Sequence, residues 1–128
     1  MNLEKIEKSI NEAFSNKEKI SQSDEVIKKL INETIDLLDQ GKIRVAEKKD
    51  NQWQVNQWIK KAILLSFRVN EMKASKGPYS TWYDKVEGKT QGWDEEKIKK
   101  AGFRYVPNGV IRKGAFIAKN VVLMPSFV

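Results

Sequence analysis

The last eighteen residues of this chain count in sixes. They divide as Ile111-Arg-Lys-Gly-Ala-Phe116, Ile117-Ala-Lys-Asn-Val-Val122 and Leu123-Met-Pro-Ser-Phe-Val128. The first place is always aliphatic (Ile111, Ile117, Leu123), and the fifth is small or apolar (Ala115, Val121, Phe127). A backbone that turns a corner every six residues meets that pattern by winding into a β-solenoid. Three hexads make about one coil, and a coil buries its apolar face only against a neighbour. The chain therefore reads as a globular unit feeding the start of a solenoid, and as the front of a longer protein.

Composition narrows the chemistry. The 128 residues contain neither cysteine nor histidine. That removes disulfides, thiolate nucleophiles, cysteine-based zinc sites, and the commonest general base and metal ligand. No metal site is expected. No apolar run approaches the length of a membrane span, and the acidic, lysine-punctuated start is unlike a signal peptide. A cytoplasmic protein is expected. Charge is uneven: residues 1–40 hold 6 Lys/Arg against 9 Asp/Glu, and residues 41–128 hold 18 against 8. A basic second part suits an anionic partner, although solvated surface lysines produce the same balance.

The organisation follows from periodicity. Leu3, Ile6, Ile10, Ala13 and Phe14 share one face of a helix. A second helix is expected from an N-cap at Ser23, with Asp24 and Glu25 in its first turn, to a left-handed stop at Gly41. Its buried stripe is Ile27, Leu30, Ile31, Thr34 and Leu38. Ile43, Val45 and Gln52–Val55 then flank a polar turn at Lys48–Asn51, which predicts a β-hairpin. From Gln57 to Met72 apolar residues cover more than one stripe, so a third helix is expected to be central, with Lys60, Lys61 and Arg68 on its wet side. Residues 73–93 read as irregular, broken by Gly77-Pro78, Gly88 and Gly92. A short helix runs from Asp94-Glu95-Glu96 to a stop at Gly102. The fold class is α+β: a mostly helical unit with a β-hairpin over residues 1–106, then the solenoid start over 107–128.

Few residues carry chemistry. Gly88-Lys-Thr-Gln-Gly92 lacks the spacing of a phosphate loop. The carboxylates around Asp94 read as helix-start charges rather than a paired acid and base. Arg104 stands out, set between Phe103 and Tyr105 just after a helix stop. A guanidinium fork there suits a carboxylate or phosphate held at two points, and pairing with an acid of its own domain is the alternative. Trp53, Trp58, Tyr79, Trp82 and Tyr83 among lysines allow a weaker reading as a nucleic-acid stacking surface. Against it, Trp58 belongs to the buried helix and Trp53 is expected to pack onto that helix.

Four segments carry a family resemblance: Gly41-Lys-Ile-Arg-Val-Ala-Glu-Lys48, Gln57–Asn70, Gly102-Phe-Arg104, and Gly114–Val128. In order and without large gaps they resemble tetrahydrodipicolinate N-succinyltransferase. The N-terminal helices and residues 72–92 match loosely. The resemblance implies transfer of succinyl from succinyl-CoA to the amino group of ring-opened tetrahydrodipicolinate, on the way to diaminopimelate and lysine. It implies homotrimers of left-handed parallel β-helices with active sites between subunits, and no membrane or nucleic acid as partner. Arg104 matches the arginine that contacts the dicarboxylate acceptor. No catalytic residue is expected within these residues, and the CoA contacts are expected beyond Val128. The 128 residues alone are then expected to be inactive, with a tail that is disordered, swapped or packed on another copy. A non-catalytic interaction or trimer-capping module is the alternative.

Overall fold

Three helices form the core, two with one apolar face each and the third apolar over more than one stripe. A computed structural model describes residues 2–128. In it α1 spans Leu3–Ser15, α2 Glu25–Asp39 and α3 Gln57–Val69, with a single 3-10 turn at Lys17–Lys19 between the first two. α3 packs against both α1 and α2 and is the central element expected from its composition. Ile10, Ile31, Ile59, Ala62 and Val69 are fully buried at the contact. Thr34 is buried among them, and its hydroxyl donates to the carbonyl of Leu30 at 2.8 Å. That bond explains why a polar residue is tolerated there.

The ends of these helices refine the expected boundaries. α1 starts with the side chain of Asn2 accepting the Lys5 N–H at 3.2 Å. Asp24, not Ser23, occupies the N-cap position of α2, and its carboxylate accepts the Ser21 N–H rather than a helix amide. At the other end, Gly41 adopts φ 71°. Its N–H reaches Leu38 O and that of Lys42 reaches Leu37 O, at 3.0 and 2.9 Å. This paired closure of a helix end requires a left-handed residue, which glycine supplies cheaply. α3 stops at Val69, short of Met72, and its wet side keeps two large apolar residues, Leu64 and Phe67, partly in solvent.

Two hairpins follow the polar segments. β1 (Ala46–Lys49) and β2 (Gln52–Val55) are joined by Asp50 and Asn51, both at positive φ. This two-residue turn matches the right-handed twist of the strands. Lys48 and Lys49, expected in the turn, lie in the strand. Trp53 does not pack onto α3: it lies opposite Lys48 and is 72% exposed, on a strand whose four residues all face solvent. Residues 73–93 are not wholly irregular. β3 (Lys73–Lys76) pairs antiparallel with β4 (Thr81–Asp84), and Gly77 makes room for the Trp82 ring that lies over it.

A short helix α4 (Glu95–Ala101) leads into the coil. Asp94 caps it by accepting the Lys97 N–H at 2.8 Å, and Gly102 ends it at φ 77°. β5 (Arg104–Tyr105) then pairs in parallel with β6 (Val122–Leu123), eighteen positions later, which is three hexads. The following corners are unequal. Between Tyr105–Leu123 and the next bridge, Val110–Phe127, four residues lie on one coil and three on the other. The longer corner is closed by the Tyr105 hydroxyl donating to Gly109 O at 2.7 Å. The tail pairs along its length with residues 104–112 of its own chain.

Candidate functional site

Arg104 owes its place to the local sequence. Gly102 turns the chain out of α4, and Phe103 anchors it by burying all but 6% of its surface. The Phe103 ring lies 6.5 Å from Trp93 and 6.4 Å from Tyr105. Alternation along β5 then turns Arg104 away from both neighbours and into solvent. Its backbone N–H donates to Val121 O at 2.9 Å, so the main chain is held while the side chain extends.

The other arginines are engaged. Arg68 meets Glu18 at 3.1 Å, Arg112 meets Asp84 at 2.8 Å, and Arg44 lies over the Phe116 ring at 4.4 Å. Among the described residues, nothing pairs the guanidinium of Arg104, so the alternative of an acid on its own domain is not what the structure contains. A fixed strand carrying a free planar cation can accept an anion at two points. The candidate nucleic-acid aromatics are divided: Trp58 is in the core, Trp53 on the first hairpin, and Tyr79 stacks edge-on with Trp82 at 5.7 Å on the second. Glu95 pairs with Lys99 at 2.7 Å, in keeping with a helix-start charge rather than an acid–base pair.

Beside the coil the structure shows a second polar group that sequence reasoning missed. A cleft of about 510 Å³ lies between the end of α2, residues 87–97 and the coil. At its base the Lys89 ammonium meets Asp39 Oδ1 at 2.8 Å and donates to Asp39 O at 3.0 Å. The same carboxylate oxygen accepts the Gly114 N–H at 2.8 Å. The Lys89 side chain is only 6% exposed. At the rim, Lys113 meets Asp36 at 2.9 Å, and this hydrogen bond holds the Lys113 ammonium above the ordinary lysine range. Lys89 and Asp39 lie fifty positions apart, so no local spacing announces them. The one available signal was a lysine inside the Gly88–Gly92 loop. Among the described residues no three His, Cys, Asp or Glu side chains converge as a metal site would need, and no helix is long and apolar enough to cross a membrane.

The chain is thus an α+β unit in which the strand carrying Arg104 pairs in parallel with residues 122–123. Residues 5–69 match the family model described as tetrahydrodipicolinate N-succinyltransferase N-terminal, and the chain belongs to that family. It is 55% identical to the 2,3,4,5-tetrahydropyridine-2,6-dicarboxylate N-succinyltransferase of Pelagibacter ubique, over 98% of this chain and 47% of that protein. Proteins of the same name from Agrobacterium fabrum and Bradyrhizobium diazoefficiens are 51% and 49% identical, over 98% and 100% of this chain and 46% and 47% of theirs. The chain thus spans about half the length of the curated relatives it matches.

Proposed function

We propose that these residues form the N-terminal part of a succinyl-CoA-dependent N-succinyltransferase acting on tetrahydrodipicolinate, in the synthesis of diaminopimelate and lysine. In this reading residues 1–106 are a globular domain and 107–128 begin a left-handed parallel β-helix. The enzyme is a cytoplasmic homotrimer. The observation that carries the reading beyond the family match is Arg104, a cation fixed at its backbone, free at its head, and mounted on the first stacked strand of the coil.

The chemistry suits that placement. The acceptor has two carboxylates and an amine, and the amine attacks the succinyl thioester, releasing the CoA thiol. A fork that binds one carboxylate at two points sets the direction from which the amine arrives. Arg104 binds and orients; the groups that move protons and hold CoA lie outside these residues. The 128 residues alone are accordingly inactive.

A chimera tests this. These residues replace the matching segment of the Pelagibacter ubique relative, and CoA thiol release is followed in the presence and absence of tetrahydrodipicolinate. Acceptor-dependent release is expected from the chimera and not from the 128 residues alone. Arg104→Ala is expected to raise the acceptor KM at least tenfold, with the succinyl-CoA KM unchanged. Equal effects on both substrates rule out the role given to Arg104.

A further inference from the structure

We infer that Lys89 is a positioning residue for Arg104, holding the coil that carries it against the helical unit through Asp39. This rests on the reading of Arg104 as the acceptor's cation.

Lys89 acts on the coil by three routes. Its backbone N–H donates to Ile111 O at 2.8 Å, next to a Gly88–Arg112 bridge, so the loop runs antiparallel to the first hexad. Its ammonium grips Asp39 at the end of α2, and Asp39 in turn holds the Gly114 N–H. Its ammonium also faces the Trp93 ring at 6.0 Å, and Trp93 is the ring against which Phe103 rests, one residue before Arg104. The coil is therefore fixed on two sides: at Gly114 through Asp39, and at Phe103 through Trp93.

A lysine buried to this degree is not needed for solubility, and buried ion pairs add little net stability compared with apolar residues of similar volume. Direction is what such a pair supplies. The ammonium donates only where the Asp39 carboxylate and carbonyl are placed, whereas an apolar filler tolerates sliding. Small displacements matter at a binding fork, since about 1 Å of misplacement costs up to about a hundredfold in rate. Lys113 with Asp36 and Arg112 with Asp84 lie on the same junction but are well exposed, and a solvated pair holds no geometry of comparable stiffness.

The test uses the chimera with Lys89→Met, which keeps the stem, Lys89→Arg, which keeps the charge, and Arg104→Ala alone and combined with Lys89→Met. Lys89→Met is expected to raise the acceptor KM at least tenfold, leave the succinyl-CoA KM unchanged, and add nothing in the Arg104→Ala background. Lys89→Arg is expected to recover most of the loss. Additive effects of Lys89→Met and Arg104→Ala, or an unchanged acceptor KM in a folded Lys89→Met chimera, overturn the inference while leaving Arg104 in place. An unchanged acceptor KM for Arg104→Ala removes the underlying reading and this inference with it. Should Lys89→Met not fold in the chimera, residue-resolved hydrogen exchange on Lys89→Gln in the 128-residue chain replaces it. Faster exchange at Gly114 and Arg104 with α3 amides unchanged supports the inference, and uniform acceleration overturns it.

Discussion

The ring of Phe116 rests on the Cα of Gly41, so closely that a Cβ there would stand 2.7 Å from two of its carbons. One glycine thus serves two purposes: it closes α2 at positive φ and provides the flat seat on which the coil's first hexad lands. Arg44 lies over the same ring, 4.4 Å from its centre. Gly41→Ala is expected to cost about 2–5 kcal/mol, from the left-handed backbone and the crowding together. Urea denaturation followed by far-UV circular dichroism measures it, and a loss below about 0.5 kcal/mol would show that the ring moves aside freely.

Removing Asp39 strands a buried ammonium. Asp39→Ala is expected to destabilise the chain by about 3–5 kcal/mol, because Lys89 loses its charge partner and keeps only the residue 39 backbone carbonyl, and the Gly114 amide loses its acceptor. Adding Lys89→Met to Asp39→Ala is expected to restore much of that loss, since the uncompensated charge goes with it. A double-mutant cycle in thermal unfolding checks both statements. Additive losses would mean that the two side chains do not interact.

The two well-separated tryptophans of residues 53–58 give opposite expectations. Trp58 is 8% exposed in the core and Trp53 72% exposed on the hairpin. Trp58→Ala is expected to cost about 3–5 kcal/mol, and Trp53→Ala to stay within about 0.5 kcal/mol. Iodide quenching of fluorescence separates them directly: the Trp53→Phe protein should lose a strongly quenched component, and Trp58→Phe should not.

Stability should fall at both extremes of pH, from different groups. The hydrogen bond to Asp36 raises Lys113 in the folded state, opposed by partial burial. Its contribution is complete below the ordinary lysine range and is lost as pH rises through the raised folded value. Glu47 is lowered, first by the Asn56 side-chain hydrogen bond and then by Lys49. Its contribution is present above the ordinary glutamate range and is lost as pH falls through the lowered folded value. Urea midpoints measured across pH should lose their alkaline decline partly in Lys113→Met and their acid decline partly in Asn56→Ala. Unchanged profiles would contradict both assignments.

How much of this was legible depends on whether the information is local. Ile6, Ile10 and Ala13, and Ile27, Leu30, Ile31, Thr34 and Leu38, recur at spacings of three and four, and apolar residues crowd Gln57–Val69, and so α1, α2 and α3 could be read directly. Asp94 and Gly102 marked both ends of α4, and the hexads gave the eighteen-residue stacking period. The second hairpin escaped because Lys73-Ala-Ser-Lys76 has no apolar alternation, and Gly77-Pro78 looks like a breaker when it is in fact the turn that seats Trp82. Trp53 was misplaced because a large aromatic near a buried helix suggests packing, whereas the whole of β2 lies in solvent. Arg104 was legible as a candidate from its neighbours and the family resemblance. That it stands unpaired required the surroundings of all four arginines. The Asp39–Lys89–Gly114 junction was invisible because each member is an ordinary residue, made important only by contacts across fifty positions or more.

The unequal corners of the coil have one further consequence. Successive hexads are nearly interchangeable, so a strictly regular strip could be shifted by six residues and still align aliphatic with aliphatic. The four-residue corner after Tyr105, facing the three-residue corner after Leu123, matches in only one alignment. Like the single off-spaced tooth on an indexed gear, it lets the winding begin at one phase alone.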